Sequence, residues 1–184
     1  MNRLLPDKGQ DIDCKKSFFG SRPKHILPSK PELMSMNFEI YASKGNELVN
    51  HLASDLGVPR DQAARILRSV LHALRNRITL DENFDLLAQL PLVLKAVYVD
   101  GWKPPKTVNQ SSHLKDFLDE IRYADAQLAA YDFGNDAKAK SMVLGVFRVL
   151  AQFVSAGELN DVVAGLPLEI KNFIKSILDE NQLF

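Results

Sequence analysis

Ile66 to Tyr98 reads ILRSVLHALRNRITLDENFDLLAQLPLVLKAVY, and Met142 to Ile174 reads MVLGVFRVLAQFVSAGELNDVVAGLPLEIKNFI. Laid over one another without a gap, the two stretches lie 76 positions apart and share nine of 33 residues. The identities are Val70/Val146, Leu74/Leu150, Glu82/Glu158, Asp85/Asp161, Ala88/Ala164, Leu90/Leu166, Pro91/Pro167, Leu92/Leu168 and Lys95/Lys171. Most other pairs exchange one apolar residue for another. A phrase repeated at one fixed offset implies one supersecondary unit used twice, each copy burying its apolar face against the other. The fold expected is all-α, with two pseudo-repeated four-helix units packed into one helical bundle.

Working outward, the pattern is helical from Phe38 onward. Glu47 to Leu56 places Leu48, Val49, Leu52 and Leu56 at helical spacing, and Gly57 follows as a stop. Pro59 suits the first turn of the next helix, which should run to about Arg77 and gather Ala63, Ile66, Leu67, Val70, Ala73, Leu74 and Ile78 on one face. Thr79-x-x-Glu82 and Ser155-x-x-Glu158 then read as capping boxes in equivalent places, starting helices at Leu80 and Ala156. Pro91 and Pro167 end those helices, push Leu90 and Leu166 into extended geometry, and open a fourth helix as its first residue. Gly165 fits a left-handed C-terminal position. The second copy opens with Ser112, a helix from Leu114 to Ala130, the breaker Gly134-Asn135-Asp136, and a helix from Ala137 to about Val154. No segment alternates, so no sheet is expected.

At 184 residues, 46% apolar and with no net charge, the chain has the make-up of an ordinary soluble domain. One cysteine, Cys14, supports neither an internal disulfide nor a metal site, and no apolar run is long enough to span a membrane. A cytoplasmic location is expected. Residues 1–35 hold seven Lys/Arg, four Asp/Glu and four prolines, without hydrophobic period. They read as an extended or disordered arm whose docking groups are Phe18, Phe19, Ile26 and Leu27. A start chosen upstream of Met34-Ser-Met36 accounts for the arm as well as a functional extension does. The division expected is 1–35 arm, 36–102 first helical repeat, 103–110 linker and 111–184 second helical repeat.

The Arg-rich helix Arg65 to Ile78, with LLAQLPLVLKAVYVDGW from Leu86 to Trp102, resembles the bacterial family known as domain of unknown function 2267. The resemblance covers about Tyr41 to Ile174. It is specific in the first copy and looser in the second, which lacks the Gly-Trp pair. It implies an all-helical bundle and supplies no activity, substrate or catalytic residue.

Motif chemistry is sparse. There is no phosphate-cradling Gly-rich loop, His-Glu-x-x-His, Cys-x-x-Cys or nucleophile elbow. His25, His51, His72 and His113 lie in separate segments, and Glu47 with His51 reads as a helix-surface charge pair. No catalytic residue, metal site or cofactor is expected. Glu82, Asp85, Glu158 and Asp161 sit in first helical turns, where the backbone dipole favours negative charge. Tyr98 and Trp102 read as a packing plug between the copies.

Arg65, Arg68, His72 and Arg75 form one basic stripe opposite the apolar face, and their counterparts are Ser141, Leu144, Arg148 and Ala151. The second-copy helix, apolar nearly all round, belongs at the centre with Arg148 in need of a partner. The stripe is the partner-binding candidate. Its arginines are expected to be solvated, with Asp119 or Glu120 as the acids that would claim them otherwise. Thr79, Glu82, Leu90, Pro91, Trp102, Ser155, Glu158, Leu166 and Pro167 are read as structural. The function expected is a non-enzymatic interaction or assembly module, with an unknown protein partner or self-association. Nucleic-acid binding through the stripe is the alternative, suggested by the turn-like Gly57-Val-Pro entry and opposed by 16 basic against 19 acidic residues after the arm. A small-ligand sensor or enzyme with a pocket between the repeats is the second alternative.

Overall fold

The computed structural model describes residues 38–104, 111, 113–123 and 129–178. The arm with its docking residues, residues 36–37, linker residues 105–110, Ser112, residues 124–128 and the last six residues lie outside that set. Every regular element among the described residues is a helix: α1 (Phe38–Leu56), α2 (Arg60–Arg75), α3 (Leu80–Gln89), α4 (Leu92–Val99), α5 (Leu114–Tyr123), α6 (Ala129–Phe133), α7 (Asp136–Leu150), α8 (Ala156–Gly165) and α9 (Leu168–Leu178). Starts recur at the sequence offset, with Arg60 and Asp136, Leu80 and Ala156, and Leu92 and Leu168 each 76 apart. Where one helix was expected from Leu114 to Ala130, the described residues carry α5 and the short α6, which ends before Gly134. The first helix begins at Phe38, nine residues ahead of Glu47.

Local chemistry explains most of the ends. Gly57 takes a φ of 64°, a left-handed turn that a side chain disfavours, and the chain leaves α1 there. Pro59, Pro91 and Pro167 stand one residue before their helices and not inside them. Their carbonyls accept from Ala63, Lys95 and Lys171 at 3.0, 3.0 and 2.9 Å. Leu90 and Leu166 are extended, with ψ of 145° and 151°, and are buried. Asn135 caps α7 through its side chain, accepting from Lys138 N at 2.9 Å.

The two capping boxes differ. In α3 Thr79 Oγ1 accepts from Glu82 N at 3.3 Å, and Glu82 Oε2 accepts from Thr79 N at 2.8 Å, which closes the box. In α8 only the hydroxyl half forms, Ser155 Oγ accepting from Glu158 N at 3.3 Å. Gly165 is not left-handed, which corrects the expectation. It is the last residue of α8, and its bare Cα lets the Glu82 carboxylate lie against it where a Cβ would collide. That approach seats the start of α3 beside the end of α8.

The described residues all fall in one compact unit. α7 shares the centre with α2, burying Ala139, Met142, Val143, Val146, Phe147, Val149 and Leu150, and it packs on α1, α2, α5, α6 and α9. α2 packs on α1, α4, α5, α6 and α7, α1 reaches α4, α3 lies on α8, and α9 packs on α5 and α8. Arg148, the one charge on α7 after Lys140, meets Asp55 of α1 at 2.7 Å. Among the described residues no helix is long and apolar enough to cross a membrane.

Candidate interaction face

α2 carries the basic stripe on the side away from its core face, but each of the four side chains is held by another element. Arg65 Nε and Nη2 donate to Asp132 Oδ2 and Oδ1 at 2.7 and 2.9 Å, a two-pronged pair with a fully buried carboxylate on α6. Arg68 Nη2 donates to Asp100 Oδ2 at 2.8 Å. His72 Nε2 donates to the Val97 carbonyl at 2.8 Å, which fixes the proton on that nitrogen. Burial holds the His72 pKa below its ordinary value, helped by the charges of Arg75 and Arg68 and opposed by the Val97 bond and Asp100. Arg75 Nη1 donates to the Tyr98 carbonyl and, at 3.1 Å, to the Asp100 carbonyl, while its guanidinium stands 5.9 Å over the Trp102 ring.

The solvated stripe is therefore corrected. Arg75 is only 7% exposed, and three of the four side chains grip the end of α4, where unpaired carbonyls concentrate negative potential. Neither Asp119 nor Glu120 is the acid involved. Asp119 pairs with Arg122 at 2.9 Å, and Glu120 pairs with Arg77 while accepting from Asn76 Nδ2 at 2.8 Å. His51 stands edge-on to Phe153, ring centroids 6.4 Å apart, and among the described residues no ion pair joins it to Glu47.

Some buried polar residues escaped the sequence reading. Arg77 is 1% exposed, with its guanidinium 5.1 Å from the Phe117 ring centroid. Asn83 Nδ2 donates to the carbonyls of Arg75, Ile78 and Thr79, and its Oδ1 accepts from the hydroxyl of the fully buried Tyr98. The repeat held the signal, because the counterparts of Arg77, Asn83 and Tyr98 are Phe153, Leu159 and Ile174. A polar residue aligned with an apolar one is a candidate for a buried polar site, and a buried polar group needs hydrogen-bond partners. Trp102 packs edge-on to Tyr98 at 6.1 Å, and its buried Nε1 has no hydrogen-bond partner.

What the fold leaves open is apolar. Leu80 and Phe84 stand four apart on one side of α3, and Leu92, Ala96 and Val99 share one side of α4. Leu80, Phe84, Leu92 and Val99 are 48%, 57%, 49% and 44% exposed. Their counterparts are Ala156, Asn160, Leu168 and Lys175, and Ala96 aligns with Asn172. The exposed Asp81 and Asp85 border the α3 side, and Lys95 Nζ ties α4 back to α3 through the Ala88 carbonyl at 3.1 Å. Apolar side chains exposed singly are ordinary, and only a contiguous exposed patch marks a contact surface.

A family model described as "Uncharacterized conserved protein (DUF2267)" matches residues 45–173. The chain belongs to that family. The match spans the DUF2267 domain from within α1 to within α9, taking in the stripe and the exposed apolar side chains of α3 and α4 alike. No curated protein matches the chain. Among the described residues of this DUF2267 domain, no three His, Cys, Asp or Glu side chains gather as a metal-binding group.

Proposed function

We propose that this DUF2267 domain acts by contact and not by catalysis. It is an interaction module of two pseudo-repeated four-helix units, and it docks on a partner protein through the α3–α4 ridge. The two-unit reading is supported by the packing partners. Exchanging α2 with α7, α3 with α8, α4 with α9, and α1 with α5 plus α6 carries α1–α7 into α5–α2, α1–α4 into α5–α9, and α2–α4 into α7–α9.

One observation carries the docking surface. Four large apolar side chains stand half exposed in the first unit, where the second has Ala156, Asn160 and Lys175 at three of the four positions. The fold therefore does not require Leu80, Phe84 or Val99, while Leu92 recurs as the exposed Leu168. Asp81 and Asp85 beside the ridge fit a partner whose apolar face is bordered by basic side chains. Nucleic-acid binding through the α2 stripe is the weaker reading, because Arg65 and Arg68 already hold carboxylates.

The double variant Phe84→Asn, Val99→Lys installs the second unit's own residues and tests the proposal. Both positions are exposed, so the unfolding free energy from denaturant melts should stay within about 0.5 kcal/mol of wild type. Proteins crosslinked to the wild-type domain in cells should be lost with the variant. An unchanged crosslinked set would overturn the ridge as the docking surface.

A further inference from the structure

Between the last turns of α2 and the outer side of α5 lies a cleft of about 320 Å³, lined by His72, Ala73, Arg75, Asn76, Glu120 and Tyr123. Its volume is at the small end of ligand-binding cavities. Arg75 sets its chemistry. The side chain is more than nine-tenths buried, and Nη1 is spent on two carbonyls, while Nε is buried with no partner. Arg65, Arg68, Arg77 and Arg122 each hold a carboxylate, whereas Arg75 has none among the described residues. A buried cation whose hydrogen bonds go only to carbonyls, and whose nearby carboxylate Asp100 is bonded to Arg68, is incompletely compensated.

The surrounding charges select the valence of what completes it. Glu120 lines the same cleft but is neutralised by Arg77, and Asp100 is neutralised by Arg68. One positive charge is left over, so a monoanion balances the cleft and a dianion would face Glu120 with charge to spare. The remaining walls are His72 and Asn76, whose side chains already bond the Val97 carbonyl and Glu120, the Ala73 methyl, and the Tyr123 ring, which is 75% exposed at the rim and available to an apolar body. We propose that this cleft binds a small carboxylate carried on an aromatic or apolar body, with the carboxylate directed at Arg75 and the body against Tyr123. The proposal does not depend on the α3–α4 ridge.

Trp102 is the only tryptophan and lies under the Arg75 guanidinium, so its fluorescence reports charge arriving there. Benzoate titrated into the full chain at constant ionic strength should change Trp102 emission saturably in the millimolar range. Acetate should act more weakly, and inorganic phosphate and the neutral isostere benzamide should have no saturable effect. Arg75→Gln should abolish the response. Because Arg75 also holds the end of α4, Tyr123→Glu provides a second variant at an exposed position, and it should weaken benzoate at least about tenfold by placing a like charge at the rim. Three results would overturn the proposal: no saturable response to benzoate, an equal response to benzamide, or wild-type benzoate affinity in Tyr123→Glu. A phosphate response stronger than that of benzoate would refute the monoanion assignment.

Discussion

At the scale of single residues, Arg65 and Asp132 show how a helix wheel misleads. A wheel tells which side of α2 is apolar, but not what lands on the other side, and Asp132 arrives from 67 residues away. With Asp132 fully buried, Arg65→Ala leaves a carboxylate without its counter-charge and should cost about 3 kcal/mol. The double variant Arg65→Met, Asp132→Leu should recover most of that loss, since an apolar pair of similar size needs no compensation. Denaturant melts of the two single variants and the double would show it. Exchanging Arg65, Arg68 and Arg75 for Glu together would set like charges against Asp132 and Asp100 and bury a third in the place of Arg75. That variant should lose its cooperative melt, and a wild-type curve would show that the three contacts contribute nothing to stability.

Helix ends were legible in the sequence because their signals are local. A Ser or Thr three residues before Glu, or a Leu-Pro step, acts through its own neighbours. What could not be read is which half of a cap survives once another helix approaches. Thr79→Ala removes a closed box and should cost about 2 kcal/mol, against about 1 kcal/mol for Ser155→Ala, whose box is half formed. Equal losses in thermal melts would count against the distinction. Glu158 extends the contrast. Burial raises its carboxyl pKa, and the nearby Asp85 and Asp161 push the same way. A carboxyl whose folded pKa lies above its unfolded value disfavours folding while ionised, and stability rises as pH falls through that pKa. Glu158→Gln should therefore match or exceed wild-type stability at neutral pH. Its advantage should close on acidification, and melts over a pH series would detect the convergence.

At the scale of the whole molecule, the repeat disclosed the helix order, and its mismatches disclosed the chemistry. Positions where an apolar residue of one copy faces a polar residue of the other sort into two kinds. Arg77, Asn83 and Tyr98 are buried and engaged by Glu120, backbone carbonyls and one another, with Arg77 Nε left without a partner, whereas Phe84 and Val99 are exposed apolar groups facing Asn160 and Lys175. Sequence alone could not separate these kinds, because burial is decided by helices from the other half of the chain. The same dependence has a physical consequence. α1 and α2 cover α7, and α5 and α6 in turn cover α2, so neither half closes a core by itself. Fragments 36–104 and 105–184, made separately, should each lack a cooperative transition and expose enough apolar surface to bind a hydrophobic dye. Mixed, they should regain helicity and a sharp melt, and independent folding of either fragment would contradict the packing described. A chain built this way is, in effect, a heterodimer whose two subunits have been kept on one message, and cutting the link would make folding a concentration-dependent event.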